Sequence, residues 1–328
     1  MSLLVRFGNI SLVRYFFIKP FLKIEGLSYF PFADYYLKWG AIENPQSNTI
    51  LCEDGFIRSK GLGVHFSPPC SLVFDRSGIY FDARRTSDLE FLLNNYDLCE
   101  EMLLRSEALI HRLIDSDISK YNVGEYTIER CFPSDKKIIL VPGQVEGDAS
   151  IVYGSPVVKT NLDLVKQVRR EHPGSYIIYK PHPDVVAKQR CGGEIELIKL
   201  IANDVVTKQS ITSLFSVVDE VHTMTSLAGF EALLRNKKVV AYGVPFYSGW
   251  GLTIDKVDCV RRTRTRTLAE LVACALILYP TYRHPLRKCQ CEVEDIIHYI
   301  DSFKASSGLP SMFQRVLLTL KKLRNRLV

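Results

Sequence analysis

The feature of this chain that most constrains its fold is an alternation of short apolar runs and helical segments that begins at residue 137. The first run, residues 138–141, has four consecutive aliphatic residues between a lysine and a Pro-Gly pair, as expected for a strand buried on both faces. Further strands are predicted at residues 175–179, 204–206, 220–222 and 239–242, and helices at residues 160–171, 193–202, 210–217, 226–235 and 267–279. Because strands alternating with helices of this length form βαβ units around a parallel sheet, the sequence predicts an α/β fold.

The part of the chain before residue 137 predicts a second folding unit. Strand-like stretches cover residues 49–57 and 71–82, and Ser87 begins a capping box that opens a helical region. A break that contains glycine and proline, at residues 121–135, separates this unit from the alternating pattern. We therefore expect an N-terminal domain over residues 1–135, a C-terminal domain over residues 136–280, and C-terminal helices over residues 281–328 that could cross back to the first domain.

The composition is that of a globular protein. The chain has 328 residues, of which 47% are hydrophobic and 24% charged, which is enough for two domains of ordinary size. The net charge of +6 admits anionic ligands such as nucleotides or lipid head groups. It is too modest to indicate a nucleic-acid partner, and we expect none.

The sequence has no strong metal-binding pattern. Its nine cysteines are scattered without a Cys-x-x-Cys pair, and the close pair Cys289 and Cys291 has no matching cluster of His or Cys. The triplet Asp115-Ser116-Asp117 stands in a helical pattern rather than at a strand end, which argues against a metal-nucleotide site. We expect reduced thiols in a cytosolic compartment, no bound metal and no cofactor.

Two terminal segments leave alternatives open. Residues 1–24 are apolar but interrupted by cations and Pro20, too broken to span a bilayer, and show no signal peptide. They are typical either of a buried strand and helix or of a membrane-surface segment. Residues 312–328 read as a basic amphipathic helix, which could contact a membrane surface or pack across the two domains.

A polar loop follows the first buried strand. Gln144, Glu146 and Asp148 stand in this loop, residues 143–150, and ligands of doubly wound folds bind beyond such strand ends. Either Asp148 or Glu146 could act as a nucleophile or general base. The alternative is structural, with Asp148 and Ser150 capping a turn.

A histidine between two prolines follows the next strand. Pro181 and Pro183 restrict the backbone around His182, and Lys180 adds a cation two residues away. A rigid imidazole beside a lysine at a strand end could hold a phosphate. The same pattern is also typical of a plain turn.

A third strand end carries hydroxyl side chains. Thr225 and Ser226 precede a helix, where hydroxyls and free backbone N–H groups form an anion site. Glu231, farther into the helix, could accept a hydrogen bond from a ribose hydroxyl. The alternative is an ordinary N-cap.

The first domain offers a pair of carboxylates. Glu53 and Asp54 are adjacent in an extended segment, so their side chains point in opposite directions and one could serve as acid or base in the cleft. Arg58 could pair with either carboxylate or bind an anion. A simple polar turn is the alternative.

Two further segments have both a functional and a structural interpretation. Tyr247 and Trp250 lie in a glycine-rich segment after a strand, where aromatic rings could stack on a base or sugar or simply pack in the core. The basic run at residues 261–266 could meet phosphates of an acceptor or form a solvated flank.

These motifs together resemble the capsule polysaccharide biosynthesis proteins of the KpsC/LipB type. The similar blocks follow in the family order at residues 53–63, 144–148, 180–183, 222–233 and 242–253. The resemblance implies a GT-B architecture, in which two Rossmann-like domains face a cleft. Family members typically carry two transferase modules in tandem, whereas this chain has the length of one.

The resemblance also implies an activity. The family's members are retaining β-Kdo glycosyltransferases that use CMP-Kdo and a lipid-linked Kdo acceptor of the phosphatidylglycerol type. They act in the cytoplasm of Gram-negative bacteria, which implies a cytoplasmic chain that could be peripheral on the inner membrane. The alternatives are a GT-B transferase for another donor such as CMP-sialic acid, a sugar epimerase, or a non-catalytic module that binds a lipid-linked glycan.

The resemblance assigns roles to particular residues. Asp148 takes the position of the family's nucleophile, and Glu53 or Asp54 that of the acid/base group. His182 with Pro183 would contact the CMP phosphate. Thr225 and Ser226 would be further phosphate ligands.

Overall fold

Two six-stranded sheets with flanking helices form the framework of the protein. The computed structural model describes residues 2–8, 10–58, 68–118, 132–187 and 193–304. The predicted helix at residues 312–328 and residues 59–63 of the first motif lie outside the described residues. Both sheets contain mainly parallel strands, which confirms the predicted α/β class.

The first sheet has the strand order β12-β5-β4-β3-β1-β2. Its strands are β1 (Leu3–Gly8), β2 (Leu27–Tyr29), β3 (Tyr35–Trp39), β4 (Thr49–Asp54), β5 (Ser71–Asp75) and β12 (Pro280–Tyr282). Strands β1 to β4 pair in parallel, whereas β5 and β12 are antiparallel. Helices α1 (Leu12–Leu22), α2 (Asp88–Asn95) and α3 (Glu100–Asp115) belong to this half.

The second sheet has the strand order β11-β10-β9-β6-β7-β8, and all its strands pair in parallel. Its strands are β6 (Ile138–Pro142), β7 (Tyr176–Lys180), β8 (Asp204–Val205), β9 (Glu220–Thr223), β10 (Lys238–Ala241) and β11 (Ile254–Asp255). Every residue of β6 is buried, as predicted for a strand covered on both faces. The strand order reverses between β6 and β9, which makes this the topological switch point where such folds bind ligands.

Helices follow the strands of the second sheet. They are α4 (Ala149–Gly154), α5 (Asn161–Glu171), α6 (Pro183–Ala187), α7 (Gly193–Lys199), α8 (Ile211–Phe215) and α9 (Leu227–Leu234). Helix α10 (Leu268–Val272) and a π-helical segment at Ala273–Leu278 pack against α3 of the first half, and α11 (Val293–Lys304) follows β12. The five strands and five helices predicted after residue 137 are all present, with ends shifted by a few residues, and the last predicted helix continues from α10 into the π-helical segment.

The predicted strand over residues 71–82 is too long. Strand β5 ends at Asp75 because its buried side chain accepts hydrogen bonds from the backbone N–H groups of Ser77, at 3.0 Å, and Gly78, at 2.7 Å. An aspartate that bonds to the backbone two residues ahead turns the chain out of the strand. Ile79 then packs in the core from a turn rather than a strand.

The two halves share one apolar core. Phe56, which follows β4, lies 4.4 Å from Phe246 in ring-centroid distance, and residues of both sheets belong to the same buried cluster. The chain also returns to the first sheet, because β12 pairs with β5. The shared aromatic core and the β12–β5 pairing together hold the two sheets against each other.

The basic run at residues 261–266 ties the halves together, which corrects both sequence-based interpretations. Arg261 and Arg262 pair with the buried Glu90 of α2, at 2.8 and 3.1 Å. The 3% exposed Arg266 donates to the carbonyls of Leu93, at 2.7 Å, and Tyr96, at 2.8 Å. These arginines are therefore internal connectors rather than phosphate ligands or a solvated flank.

Candidate active site

A cleft of about 770 Å³ opens between the two sheets at the carboxyl ends of β6, β7 and β9. The first half contributes Arg14, Trp39, Gly40, Ala41, Glu53, Asp54, Phe56, Tyr80 and Phe81 to its wall. The second half contributes the loops after its strands. The predicted site residues that line the cleft are Glu53, Asp54, Gln144, Asp148, Lys180, His182, Pro183, Thr225, Ser226 and Glu231.

Gln144 is anchored on two sides. Its backbone N–H donates to Asn161 Oδ1 at 2.8 Å, and Asn161 Nδ2 donates back to the Gln144 carbonyl at 3.0 Å. Its side chain reaches across the switch point to Thr225, donating to Oγ1 at 3.0 Å and accepting from the backbone N–H at 2.9 Å. Because Gln144 is buried, this network holds the β6 loop and the start of α9 at a fixed separation.

Asp148 stands at the cleft edge as the N-cap of α4. Its Oδ1 accepts the backbone N–H of Ser150 at 2.9 Å, as the structural interpretation of the loop predicted. Its side chain is exposed and lines the cleft, so capping and a chemical role are compatible. Gly147, with φ of +77°, makes the turn that brings Asp148 to this edge.

Glu146 does not line the cleft, which corrects its predicted place among the ligand-binding and catalytic groups of the loop after β6. Its Oε1 accepts from the backbone N–H of Asn161 at 2.7 Å and from Asn161 Nδ2 at 3.1 Å, at the beginning of α5. Its neighbour there is Glu194, whose pKa is raised by burial and by the nearby Glu146 carboxylate. Glu146 therefore organises the loop rather than facing the cleft.

Lys180 ends β7 and is 8% exposed. Its Nζ donates to the Gln209 carbonyl at 2.5 Å, and burial lowers the pKa of Lys180 from its usual value to about 8. A buried ammonium on the cleft wall favours an anion in that space.

His182 faces the cleft from the start of α6. Its Nδ1 accepts the backbone N–H of Asp184 at 3.1 Å, which in a neutral imidazole puts the proton on Nε2. Pro183 occupies the first position of the helix, where its fixed φ is favourable. Asp184, not predicted from the sequence, also lines the cleft, and its buried Oδ1 has no hydrogen-bond partner among the described residues.

The β9–α9 junction forms another part of the cleft wall, beside the loops that follow β6 and β7. Ser226 is the N-cap of α9, its Oγ accepting from the N–H of Ala228 at 3.2 Å. Thr225, Ser226 and the nearly buried Glu231 line the cleft together. A helix N-terminus that points into a cleft attracts negative charge.

Glu53 and Asp54 face the second sheet from the end of β4. Asp54 Oδ2 forms an ion pair with Arg58 Nε at 2.6 Å, and the backbone N–H of Asp54 donates to Glu53 Oε1 at 3.0 Å. Arg58 is 5% exposed and does not line the cleft. The structure therefore shows the first of its two predicted alternatives, pairing with a carboxylate. The other alternative, in which Arg58 binds an anion such as an acceptor group, is corrected accordingly.

Tyr247 and Trp250 are core residues, which corrects their predicted contact with a sugar. Both are 0% exposed, and neither lines the cleft. The Tyr247 hydroxyl donates to the Ser226 carbonyl at 2.5 Å, and Trp250 Nε1 donates to the Phe246 carbonyl at 2.8 Å. Tyr247 therefore supports the start of α9 from the core, whereas Phe246 of the same segment lines the cleft.

Arg14 and Trp39 are cleft residues that sequence reasoning missed. The Arg14 guanidinium lies 4.6 Å from the Trp39 ring centroid, on the wall formed by the first sheet. Both stand in segments without a recognisable motif. The only available signal was the absence of acidic residues from the apolar first 24 positions.

A possible metal-ligand set lies elsewhere in the described part of the chain. His172, Glu220 and His222 have ligand atoms within 4.8 Å of one another, but none of them lines the cleft. Lys137 and Lys238 pair with Glu220 at 2.6 and 2.8 Å, and the burial of His222 lowers its pKa to about 4. These contacts indicate that Glu220 is the centre of an ion-pair and hydrogen-bond network with the two lysines and His222, which accounts for the cluster without a metal ion.

Comparison with known proteins identifies the family. The family model described as capsule polysaccharide biosynthesis protein matches residues 38–122 and 100–284. The chain belongs to this family. The KpsC/LipB-type resemblance is thereby confirmed.

Sequence relatives of this capsule polysaccharide biosynthesis protein are longer than the chain. The capsule polysaccharide modification protein LipA of Neisseria meningitidis is 51% identical over 235 residues, which cover 71% of this chain and 33% of LipA. The lipopolysaccharide-processing protein LpsZ of Rhizobium meliloti is 46% identical over 236 residues, covering 70% of this chain and 53% of LpsZ. The chain therefore matches about a third of LipA and about half of LpsZ.

Two solved structures of Thermosulfurimonas dismutans KpsC share the fold. The β-Kdo 2,7 transferase is 37% identical with a TM-score of 0.76, covering 92% of this chain and 99% of that structure. The β-Kdo 2,4 transferase is 32% identical with a TM-score of 0.81, covering 92% and 98%. The match confirms the predicted GT-B-like arrangement. Among the described residues, no helix combines the length and apolarity needed to cross a bilayer.

Proposed function

We propose that this capsule protein is a retaining β-Kdo glycosyltransferase that transfers Kdo from CMP-Kdo to a Kdo- or lipid-linked acceptor of the phosphatidylglycerol type. The observation that carries the proposal is one cleft in which Asp148 lies on the second sheet's wall and Glu53 and Asp54 on the first sheet's wall. The similarity to two KpsC Kdo transferases over 92% of the chain supports it. The setting we propose is the cytoplasmic face of the inner membrane of a Gram-negative bacterium.

The proposed donor phosphate lies between Lys180, His182 and the start of α9. The Lys180 ammonium, the His182 Nε2–H group and the Ser226 helix end can each stabilise negative charge on a departing phosphate. Because CMP is a good leaving group, we propose that these groups suffice and that no metal ion takes part.

In the first proposed step, the Asp148 carboxylate attacks the anomeric carbon of Kdo. The bond from that carbon to the CMP phosphate oxygen breaks, the electron pair leaves on the phosphate, and an ester joins Kdo to Asp148. In the second step an acceptor hydroxyl attacks the same carbon and the ester bond breaks, which regenerates the carboxylate. Two inversions give overall retention.

We assign the base of the second step to Glu53. Both Glu53 and Asp54 line the cleft, and Asp54 is held in the ion pair with Arg58. Glu53 would take the proton of the acceptor hydroxyl as the new glycosidic bond forms.

The test is an incubation of the chain with CMP-Kdo generated in situ and a synthetic Kdo-lipid acceptor, read by mass spectrometry. We expect a product heavier by one Kdo residue and the release of CMP. CMP-sialic acid in place of CMP-Kdo tests the alternative donor. CMP binding without transfer to any acceptor would favour a glycan-binding module and contradict the proposal.

A further inference from the structure

We propose that an aromatic and basic surface on α1 and the β2–β3 connection docks the protein on an anionic phospholipid bilayer. The proposal extends the proposed function by naming the surface through which a lipid-linked acceptor would be approached. Its test reads vesicle binding rather than transfer, so the two proposals fail separately.

The outer face of α1 is apolar at its beginning and cationic at its end. Leu12 is 71% exposed and Phe16 61% exposed, although both are large apolar side chains. They are four residues apart, and the exposed Lys19 and Lys23 continue the same helical face. The inner face, by contrast, buries Ile18, Phe21 and Leu22. This helix therefore has apolar side chains on the face turned to solvent as well as on the face turned to the core.

The β2–β3 connection extends the exposed surface. Tyr29 is 47% exposed, Phe30 44% and Phe32 81%. Phe30 and Phe32 contact each other with ring centroids 6.0 Å apart, and the backbone N–H of Phe30 bonds to the Val5 carbonyl at 2.9 Å. The connection is thus held against β1.

Ring contacts join α1 to Tyr29, the last residue of β2, and Phe30 follows Tyr29 directly in the chain. Phe7 lies 5.2 Å from Tyr15 and 5.1 Å from Tyr29, and Tyr15 lies 5.4 Å from Phe16. Soluble proteins seldom expose a large contiguous apolar patch unless it meets a partner or a membrane. Aromatic rings with lysines at their border match the boundary between lipid head groups and acyl chains.

The charge of the segment selects an anionic surface. The first 24 residues contain the cations Arg6, Arg14, Lys19 and Lys23 and no acidic residue. Glu25 follows this segment and the exposed Asp34 ends the β2–β3 connection, so residues 1–34 carry four cations against two carboxylates and keep a net positive charge. Juxtaposed aromatic and basic groups bind anionic lipids more strongly than zwitterionic ones.

The patch lies near the cleft. Arg14 of α1 stacks on Trp39 at the cleft wall. In a helix with 3.6 residues per turn, Arg14 projects from the side roughly opposite Leu12 and Phe16, so α1 lies between the patch and the cleft. A bilayer that receives Leu12 and Phe16 would therefore lie one helix diameter, about 10 Å, from the first sheet's side of the cleft, where we place the acceptor. The geometry brings a lipid head group close to the cleft without a membrane-spanning helix.

The experiment is co-sedimentation of the full chain with phosphatidylcholine vesicles prepared with and without phosphatidylglycerol. We expect about ten-fold stronger binding to the anionic vesicles, weakened by high salt. The triple variant Leu12→Ser, Phe16→Ser, Phe32→Ser should lose this binding, and Lys19→Glu with Lys23→Glu should lose its lipid selectivity. A matched control replaces the exposed Leu104, Leu200 and Val260 by serine and should bind as the unaltered chain does.

Several outcomes would overturn the proposal. Equal binding of the triple variant and its control would show that the patch does not contact lipid. Equal binding to vesicles with and without phosphatidylglycerol would show that the positive charge of the patch does not select anionic lipid. A dimer that the triple variant disrupts, seen by light scattering, would assign the patch to a second copy of the chain. Circular dichroism of each variant separates these results from misfolding.

Discussion

Gln144 and Thr225 are joined by two hydrogen bonds across the point where the strand order of the second sheet reverses. The Gln144 side chain accepts from the Thr225 backbone N–H at 2.9 Å and donates to Thr225 Oγ1 at 3.0 Å. One residue follows β6 and the other precedes α9, so the pair sets the distance between the two loops that would hold the donor. We call these two hydrogen bonds the Gln144–Thr225 clamp. The clamp holds the loops of the proposed phosphate site in place from inside the protein.

Removing the clamp should weaken nucleotide binding. We expect Gln144→Ala to lower CMP affinity about ten-fold and the free energy of unfolding by about 1–2 kcal/mol, because Thr225 loses both partners in a buried site. Calorimetric titration with CMP and urea unfolding measure the two effects. Gln167→Ala, which removes an amide from α5 outside the cleft, is the control. Unaltered CMP affinity in Gln144→Ala would show that the clamp does not shape the site.

The charge of Lys180 should make nucleotide binding depend on pH. Burial lowers the pKa of Lys180 to about 8, so in the free protein the ammonium loses its proton as the pH rises through that value. Bound phosphate raises the pKa of Lys180 in the complex, so above about pH 8 CMP binding requires the uptake of a proton and CMP affinity should fall as the pH rises. Lys180→Met should bind weakly with little pH dependence. An affinity of the unaltered chain that stays constant through pH 8 would refute a phosphate contact.

The arginine connection between the halves should carry much of the stability. Glu90 is 4% exposed and accepts from Arg261 and Arg262, of which the Arg262 side chain is 3% exposed. Glu90→Ala leaves the buried Arg262 guanidinium without its carboxylate partner, although it still donates to the carbonyls of Pro245 and Ser248, and should lower the free energy of unfolding by about 3–5 kcal/mol. Asp97→Ala, which breaks the exposed pair with Arg264, should change it little. Similar urea midpoints for the two variants would contradict this account.

Tyr247 should act on stability rather than on sugar recognition. Its hydroxyl donates to the Ser226 carbonyl, and a Cβ added at Gly229 would lie 2.2 Å from that hydroxyl oxygen. We expect Tyr247→Phe to lower the free energy of unfolding by about 1 kcal/mol and Gly229→Ala to lower it more, because the ring would have to move. The acceptor KM should not change in Tyr247→Phe. A raised acceptor KM at unaltered stability would restore the contact predicted from the sequence.

The elements around β6 were predictable from local sequence. Four buried aliphatic residues and a Pro-Gly stop predict this strand, and Ser87 is the N-cap of α2, where the sequence placed the start of a helical region. Such signals are local, because burial on both faces and N-capping each depend on residues a few positions apart. The same reasoning placed Asp148, His182 and Ser226 at strand ends, and these ends meet in a parallel sheet.

Contacts between distant segments were not predictable. Arg262 and Arg264 look alike in sequence, yet Arg262 is buried against Glu90 while Arg264 pairs with the exposed Asp97. Trp250 reads equally as a stacking ring or a core residue until its surroundings are known. Arg14 reaches the cleft only because α1 packs beside β3, a relationship without a short-range signature.

The most direct test of the proposed mechanism is a search for the Kdo ester on Asp148. The chain is mixed with CMP-Kdo without acceptor, quenched, and measured as intact protein and as peptides. We expect a covalent Kdo residue on the peptide that contains Asp148, its loss when acceptor is added, and no adduct in Asp148→Asn, which keeps an N-cap for α4. Asp148→Asn that still transfers Kdo at a rate comparable with the unaltered chain would contradict the account.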